Sequence, residues 1–254
     1  MNLARVQSLG LCLLFILMLA GPARAELADT IERIKPALVV VGTFNKLKSP
    51  AFSMRGSGFA VGDGRLVATN SHVIPESLEH DSLMILARMG ETTRPIPAQL
   101  VTRDAEHDLA LLRISGPTLP ALKLGASDAV REGQAVAFSG FPIGGALGFS
   151  PVTHRGIVSS ITPIAIPIGN ANQLKDQSIR RLRSGAFPIF QLDGTAYPGN
   201  SGGPLFDPAT GEVLGVINMV FVKSTKESVL EKPSGISYAI PAKHLAELLS
   251  NIRQ

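Results

Sequence analysis

Gly199-Asn200-Ser201-Gly202-Gly203-Pro204 sets one serine inside a run of glycines. Glycine adopts backbone angles that a side chain forbids, so the Gly199 and Ser201 N–H groups can converge on one point. A serine placed this way reads as a nucleophile whose own loop can hold an oxyanion. Clusters of Gly, Asn, Ser and Pro ordinarily form plain turns, so the reading depends on what lies upstream. Ala68-Thr69-Asn70-Ser71-His72-Val73-Ile74 supplies a histidine, and Asp108-Leu109-Ala110-Leu111-Leu112 supplies an acid between histidine and serine.

A serine hydroxyl is a weak nucleophile at neutral pH. It needs a base within reach, and the base needs a partner that fixes its tautomer. His72 would take the Ser201 proton, and Asp108 would orient His72. Gly199 and Ser201, with the intervening Asn200 peptide, would form the oxyanion hole. The chain has five histidines, and His80, His107, His154 and His244 compete for the role. His72 is preferred because it follows the strand-like run Leu66–Thr69 and precedes Val73-Ile74-Pro75. His107 adjoins Asp108, but neighbouring side chains on a strand point to opposite faces. Asp108 leads directly into the apolar run Leu109–Ile114, whereas Asp104 reads as a turn residue.

The order His, Asp, Ser is the one chymotrypsin-like proteases use. Gly56-Ser57-Gly58-Phe59, Thr69-Asn70-Ser71-His72-Val73, His107-Asp108-Leu109-Ala110, Gly156-Ile157-Val158-Ser159 and Gly199-Asn200-Ser201-Gly202-Gly203-Pro204-Leu205 together resemble the Deg/HtrA-like group of trypsin-like serine proteases. The resemblance runs from about residue 30 to residue 250. It implies an acyl-enzyme mechanism on polypeptide substrates that are unfolded or misfolded. It places His72 and Asp108 on a first barrel, Ser201 on a second, and the site in the cleft between them. In trypsin an acid six residues before the nucleophile receives Lys or Arg; that offset falls here on Thr195, while Asp193 sits eight before. The neighbouring wall, Ile217-Asn218-Met219-Val220-Phe221, is mostly apolar. Thr195, Asn218, Met219 and Val220 are therefore the expected substrate-binding residues, with small or medium apolar side chains preferred at P1. Asn200 stands where trypsin-type zymogens carry an acid, so activation by propeptide removal is not expected. Relatives of this group continue into PDZ domains, and none fits after the closing helix; trimerisation through the N-terminal segment stays open. The competing reading is a catalytically silent binding module of the same shape. An esterase of the α/β-hydrolase type would need its histidine after the serine, where only His244 stands.

The fold class follows from the spacing of apolar runs. After a helical stretch over Glu26–Lys35, closed by Pro36, short apolar segments recur between Gly, Pro, Asn and Asp. They are Val39–Phe44, Gly58–Val61, Leu66–Thr69, Leu83–Ala87, Ala98–Arg103, Leu109–Ile114, Ala135–Gly140, Val152–Ile161, Phe187–Leu192, Val213–Phe221 and Ile236–Ile240. This predicts an all-β protein of two antiparallel six-stranded barrels, about 37–118 and 133–241, joined by Leu119–Glu132. A C-terminal helix over 242–252 would bury Leu245, Leu248 and Leu249. Asn45–Phe52, Thr162–Ala186 and Lys223–Ser234 read as surface loops, the last two flanking the cleft.

Composition bounds the rest. Residues 1–25 carry Arg5, the apolar run Leu9–Ala20 and Ala23-Arg24-Ala25, the pattern of a cleaved signal peptide. Its apolar run is too short for a membrane anchor, so a periplasmic or secreted protein is expected. Removing 25 of the 254 residues leaves 229, and Cys12 goes with them. The mature chain then has neither a disulfide nor a thiol nucleophile. The formal charge of +4 falls to +2 once Arg5 and Arg24 are removed, and there is no Trp, so nucleic-acid binding is not expected. No histidine pair has zinc-site spacing, and Gly140–Gly148 lacks the Lys-Ser/Thr ending of a phosphate loop. Neither a metal nor an organic cofactor is expected.

Overall fold

The computed structural model describes residues 27–90, 92–142, 149–163, 187–218 and 235–252. Helix α1 (Leu27–Ile34) opens the described chain. Strands β1 (Leu38–Phe44), β2 (Phe52–Val61), β3 (Leu66–Asn70), β4 (Ser82–Met89), β5 (Thr92–Asp104) and β6 (Leu109–Ile114) follow. Strands β7 (Ala135–Gly140), β8 (Val152–Pro163), β9 (Pro188–Asp193), β10 (Pro204–Phe206), β11 (Val213–Asn218) and β12 (Ile236–Pro241) come next, and helix α2 (Ala242–Ile252) closes the chain. Each set of six strands forms a closed antiparallel barrel. Their orders, β1-β2-β3-β6-β5-β4 and β7-β8-β9-β12-β11-β10, are the same pattern used twice. Closure leaves neither barrel with an unpaired edge.

Strands β1 and β6 explain why their runs are continuously apolar rather than alternating. Val39, Val41, Ala110 and Leu112 point into the first barrel. Leu38, Val40, Leu109 and Leu111 point the other way and pack with Phe141, Val213, Val216 and Ile240 of the second barrel and with Leu245 and Leu248 of α2. A strand buried on both faces has no solvent side to mark with polar residues. The second barrel has its own interior, built on Val136, Phe138, Val158, Phe190, Leu192, Leu205 and Ile217. Helix α1 rides on that barrel: Ile34 packs on Ala137 and Phe206, and Arg33 donates to the Thr210 carbonyl at 3.2 Å.

β2 and β5 each begin six residues before their expected runs, and β10 matches none of those runs. The first half of β2, Phe52–Arg55, alternates half-buried and exposed residues, so it carries no apolar run; it pairs with β1 all the same. β10 has only three residues and begins at Pro204, too brief to show a period. Most of the expected 162–186 loop and all of 223–234 lie outside the described residues.

Candidate functional site

Asp108 sits in the turn between β5 and β6 with φ +53°, a left-handed conformation that Asp tolerates better than most side chains. Its carbonyl oxygen is held from β3 and the turn after it, by Asn70 Nδ2 at 3.1 Å and the Ser71 N–H at 3.0 Å. The Asp108 side chain is 5% exposed. Its Oδ1 accepts the His72 N–H at 2.9 Å. Its Oδ2 accepts His72 Nδ1 at 2.6 Å and Asn218 Nδ2, also at 2.6 Å. An ionised carboxylate only accepts, so His72 Nδ1 carries the proton and Nε2 is left as an acceptor. The His72 side chain keeps 30% of its exposure. It is thus a histidine anchored at one ring nitrogen and presented at the other.

The serine loop is brought to the same place by Ser57 on β2. The Ser57 N–H donates to the Ser201 carbonyl at 2.8 Å, and its hydroxyl donates to the Gly199 carbonyl at 2.6 Å while accepting the Phe141 N–H at 2.9 Å. A Cβ on Gly56, next along β2, would lie 2.7 Å from Val73 Cγ2 and 2.9 Å from the Ser201 oxygen. The turn that carries His72 and the loop that carries Ser201 therefore meet on one strand. Gly199 has φ +103°, as its position before the serine requires. The Asn200 N–H is turned back onto the Tyr197 carbonyl at 2.9 Å, and its side chain is wholly buried. The N–H groups on either side of it, at Gly199 and Ser201, are the pair that an oxyanion would use.

Gly202 shows how tightly the loop is seated. It has φ +87°, and a Cβ there would overlap the Ser57 carbonyl oxygen and Thr69 Oγ1. Gly202→Ala combines an unfavourable backbone angle with a backbone clash. It should cost about 3 kcal/mol or more, read as a lowered urea midpoint with unchanged m-value.

Of the four residues expected to bind substrate, Thr195 and Asn218 lie among the described residues. Thr195 lies half-buried on the segment Gly194–Ala196. Ser237 fastens that segment: its hydroxyl donates to the Gly194 carbonyl at 2.6 Å and accepts the Ala196 N–H at 2.7 Å. Asn218 is fully buried with its amide on Asp108, and Ile217 points into the second barrel's interior. Met219 and Val220 lie outside the described residues. Sequence reasoning missed Ser57, Ser237 and the Asp108-directed role of Asn218. Their partners are 142, 43 and 110 residues away, so no local pattern marks them.

Of the other histidines, His107 and His154 are engaged elsewhere. His107 Nδ1 bonds Asp104 Oδ2 at 2.7 Å, and Asp104 Oδ1 caps the turn by accepting the Glu106 and His107 N–H groups at 3.0 Å each. His80 is exposed. His154 stacks on Phe138 at 4.9 Å, and burial lowers its pKa. A histidine held neutral in the folded state stabilises above its unfolded pKa of about 6.5 and loses that contribution as pH falls below it. His154→Phe keeps the stack and removes the titration. The gap between urea midpoints at about pH 5 and pH 7.5 should narrow in this variant.

Among the described residues no group of three or more His, Cys, Asp or Glu is placed to hold a metal ion, and no helix is long and apolar enough to cross a membrane. Residues 56–216 match the model of the trypsin-like peptidase domain family. The chain is 36% identical over 186 residues to a probable periplasmic serine endoprotease DegP-like from Pseudomonas fluorescens, covering 73% of this chain and 32% of that protein. It is 33% identical over 201 residues to a protein of the same description from a Marinomonas species, covering 79% and 36%. This chain thus spans about a third of the length of these curated relatives. A solved structure of the HtrA-type protease AlgW with a tripeptide superposes with a TM-score of 0.64 at 29% identity, over 90% of this chain and 64% of that one.

Proposed function

This chain belongs to the trypsin-like peptidase family, with DegP/HtrA-like relatives, and from that premise we propose that it is an exported serine endopeptidase acting on unfolded or misfolded polypeptides. One observation carries the reading: Asp108 Oδ2 receives both His72 Nδ1 and Asn218 Nδ2, one from each barrel. A buried acid that orients a partly exposed imidazole, with the Ser201 loop fastened to the strand that also meets the histidine's turn, has a direct use in acyl transfer. Ser201 Oγ attacks the scissile carbonyl carbon as His72 Nε2 takes its proton. Asp108 stabilises the imidazolium. The oxyanion is held by the Gly199 and Ser201 N–H groups, each such donor being worth about 3 kcal/mol in the transition state. The intermediate collapses as His72 returns the proton to the leaving amine, leaving an ester on Ser201. A water that gives its proton to His72 then attacks that ester, and the acid product departs as Ser201 is reprotonated.

The periplasm is the proposed compartment, from the signal-like N-terminus and the names of the relatives. Thr195 in place of an acid supports a P1 preference for small or medium apolar residues. Digestion of a denatured protein by the purified mature chain, with cut sites mapped by mass spectrometry, should give cleavage after such residues. Cuts clustered after Lys or Arg refute the preference, and no cuts at all refute the function.

A further inference from the structure

The peptide that ends in Asp108 is covered by a residue from the far end of the chain. His107 lies flat on His244 of α2, ring centroids 3.8 Å apart and planes 18° from parallel. Phe187, just before β9, meets both rings edge-on at 4.7 and 5.3 Å. His107 is also bonded through Nδ1 to Asp104, the residue that caps the turn. His244 is buried, and among the described residues neither of its ring nitrogens makes a hydrogen bond; its nearest charged neighbour is the exposed Glu247 carboxylate, 3.6 Å from Nδ1. The contact with Glu247 is long and at the surface, so the closest packing His244 makes is through its ring face. Its use in this place is its flat face against His107.

We propose that His244 is a positioning residue for Asp108: acting through the stacked His107 ring, it fixes the β5–β6 turn and ties helix α2 to the acid of the site. The proposal rests on the role assigned above to Asp108. That acid ends the four-residue turn Ala105 to Asp108, and Asp108 itself takes the left-handed backbone angle, φ +53°, which costs strain energy unless its surroundings hold it. One side of the turn is pinned by the Asp104 cap and by the Asn70 and Ser71 bonds to the Asp108 carbonyl. The stack supplies the other side.

The same geometry makes the clamp sensitive to acid. Burial opposes a charge on His107, but the Asp104 carboxylate more than offsets it, so the His107 pKa is raised, with Glu106 and Glu247 adding to the effect. Burial lowers the His244 pKa, and so does the charge on His107; Lys243 acts in the same direction and Glu247 against it. One imidazolium over one neutral ring is a favourable contact. Two imidazolium rings at this spacing repel. As pH falls below the ordinary histidine range, protonation of His244 therefore opens the stack and releases the turn.

The test compares His244→Ala and His244→Phe with the intact chain on a fluorogenic peptide. His244→Ala should lower kcat by about 3- to 30-fold with KM unchanged, the range expected for a residue that acts through one neighbour. His244→Phe restores the flat face, so it should recover most of that loss. It should also make the acid limb of kcat/KM less steep, because one of two coupled protonations is gone. Equal kcat in His244→Ala and the unaltered chain, with superimposable acid limbs, overturns the proposal while leaving the peptidase reading intact. If the unaltered chain cleaves no peptide, the peptidase reading fails, and the positioning claim is judged by proton NMR instead. The low-field resonance of His72 Nδ1–H should then shift or broaden in His244→Ala and return in His244→Phe; an unmoved resonance overturns it.

Discussion

Replacing Ser201 with alanine should abolish peptide-bond cleavage, lowering kcat by about 10⁴- to 10⁶-fold. The proposed chemistry has only one route to the acyl-enzyme, and it runs through this hydroxyl. His72 without a serine to deprotonate has no nucleophile in place, and the oxyanion donors alone leave only a small residue of catalysis over water. The fold should not notice. The loop is held by main-chain groups that alanine keeps: the Ser201 carbonyl still accepts the Ser57 N–H, and the Gly202 N–H still donates to the Ile217 carbonyl at 2.9 Å. The loss of one oxygen changes little volume. A fluorophosphonate probe should label the unaltered protein and not Ser201→Ala, with the two melting within a few degrees of each other. Retention of proteolysis by Ser201→Ala would remove the serine-protease reading altogether.

The barrels were legible because burial on both faces writes itself as uninterrupted apolar runs, as in Leu38–Val41 and Leu109–Leu112. The expectation that Asp104 is a turn residue had a local reason. Asp104 has backbone N–H groups two and three residues ahead to cap, and it caps them. The residues two and three ahead of Asp108, Ala110 and Leu111, belong to the β6 ladder, and the Asp108 carboxylate turns instead to His72. What could not be read was anything made by the meeting of the two barrels. Asn218 sits at the end of an apolar strand next to residues expected to line a pocket, and nothing nearby says that its amide will cross to Asp108. Ser57 looks like one more small residue between glycines, yet it is the strand residue to which the Ser201 loop is fastened. His107 and His244 each look like isolated surface histidines until closure of the second barrel lays α2 over the β5–β6 turn. Local sequence reports the period and the turn; contacts across more than 40 residues need the topology first.

Asp108→Asn should be nearly as damaging as loss of the serine, lowering kcat by about 10⁴-fold, and for a reason the hydrogen bonds make explicit. The native carboxylate faces three N–H donors and no acceptor: the His72 N–H on Oδ1, and His72 Nδ1 with Asn218 Nδ2 on Oδ2. An asparagine offers one oxygen and one NH₂. If its NH₂ replaces Oδ2, it confronts the Asn218 amide, and His72 can accept from it only by moving its own proton to Nε2. The base then points a hydrogen at Ser201 and cannot take another. If the NH₂ replaces Oδ1 instead, it confronts the His72 backbone N–H, and two buried donors are left facing each other. That arrangement costs about 1–3 kcal/mol of stability for the unsatisfied group and removes the negative charge that supports the imidazolium. Both orientations therefore lose the base, by the wrong tautomer or by a displaced ring. The carboxylate is buried, so KM should stay within a few-fold of its native value while kcat collapses. Steady-state kinetics at about pH 7.5, alongside a urea titration of the same sample, separates the two losses. A kcat within tenfold of the unaltered protein would mean that Asp108 merely braces the turn and that His72 takes its orientation from elsewhere.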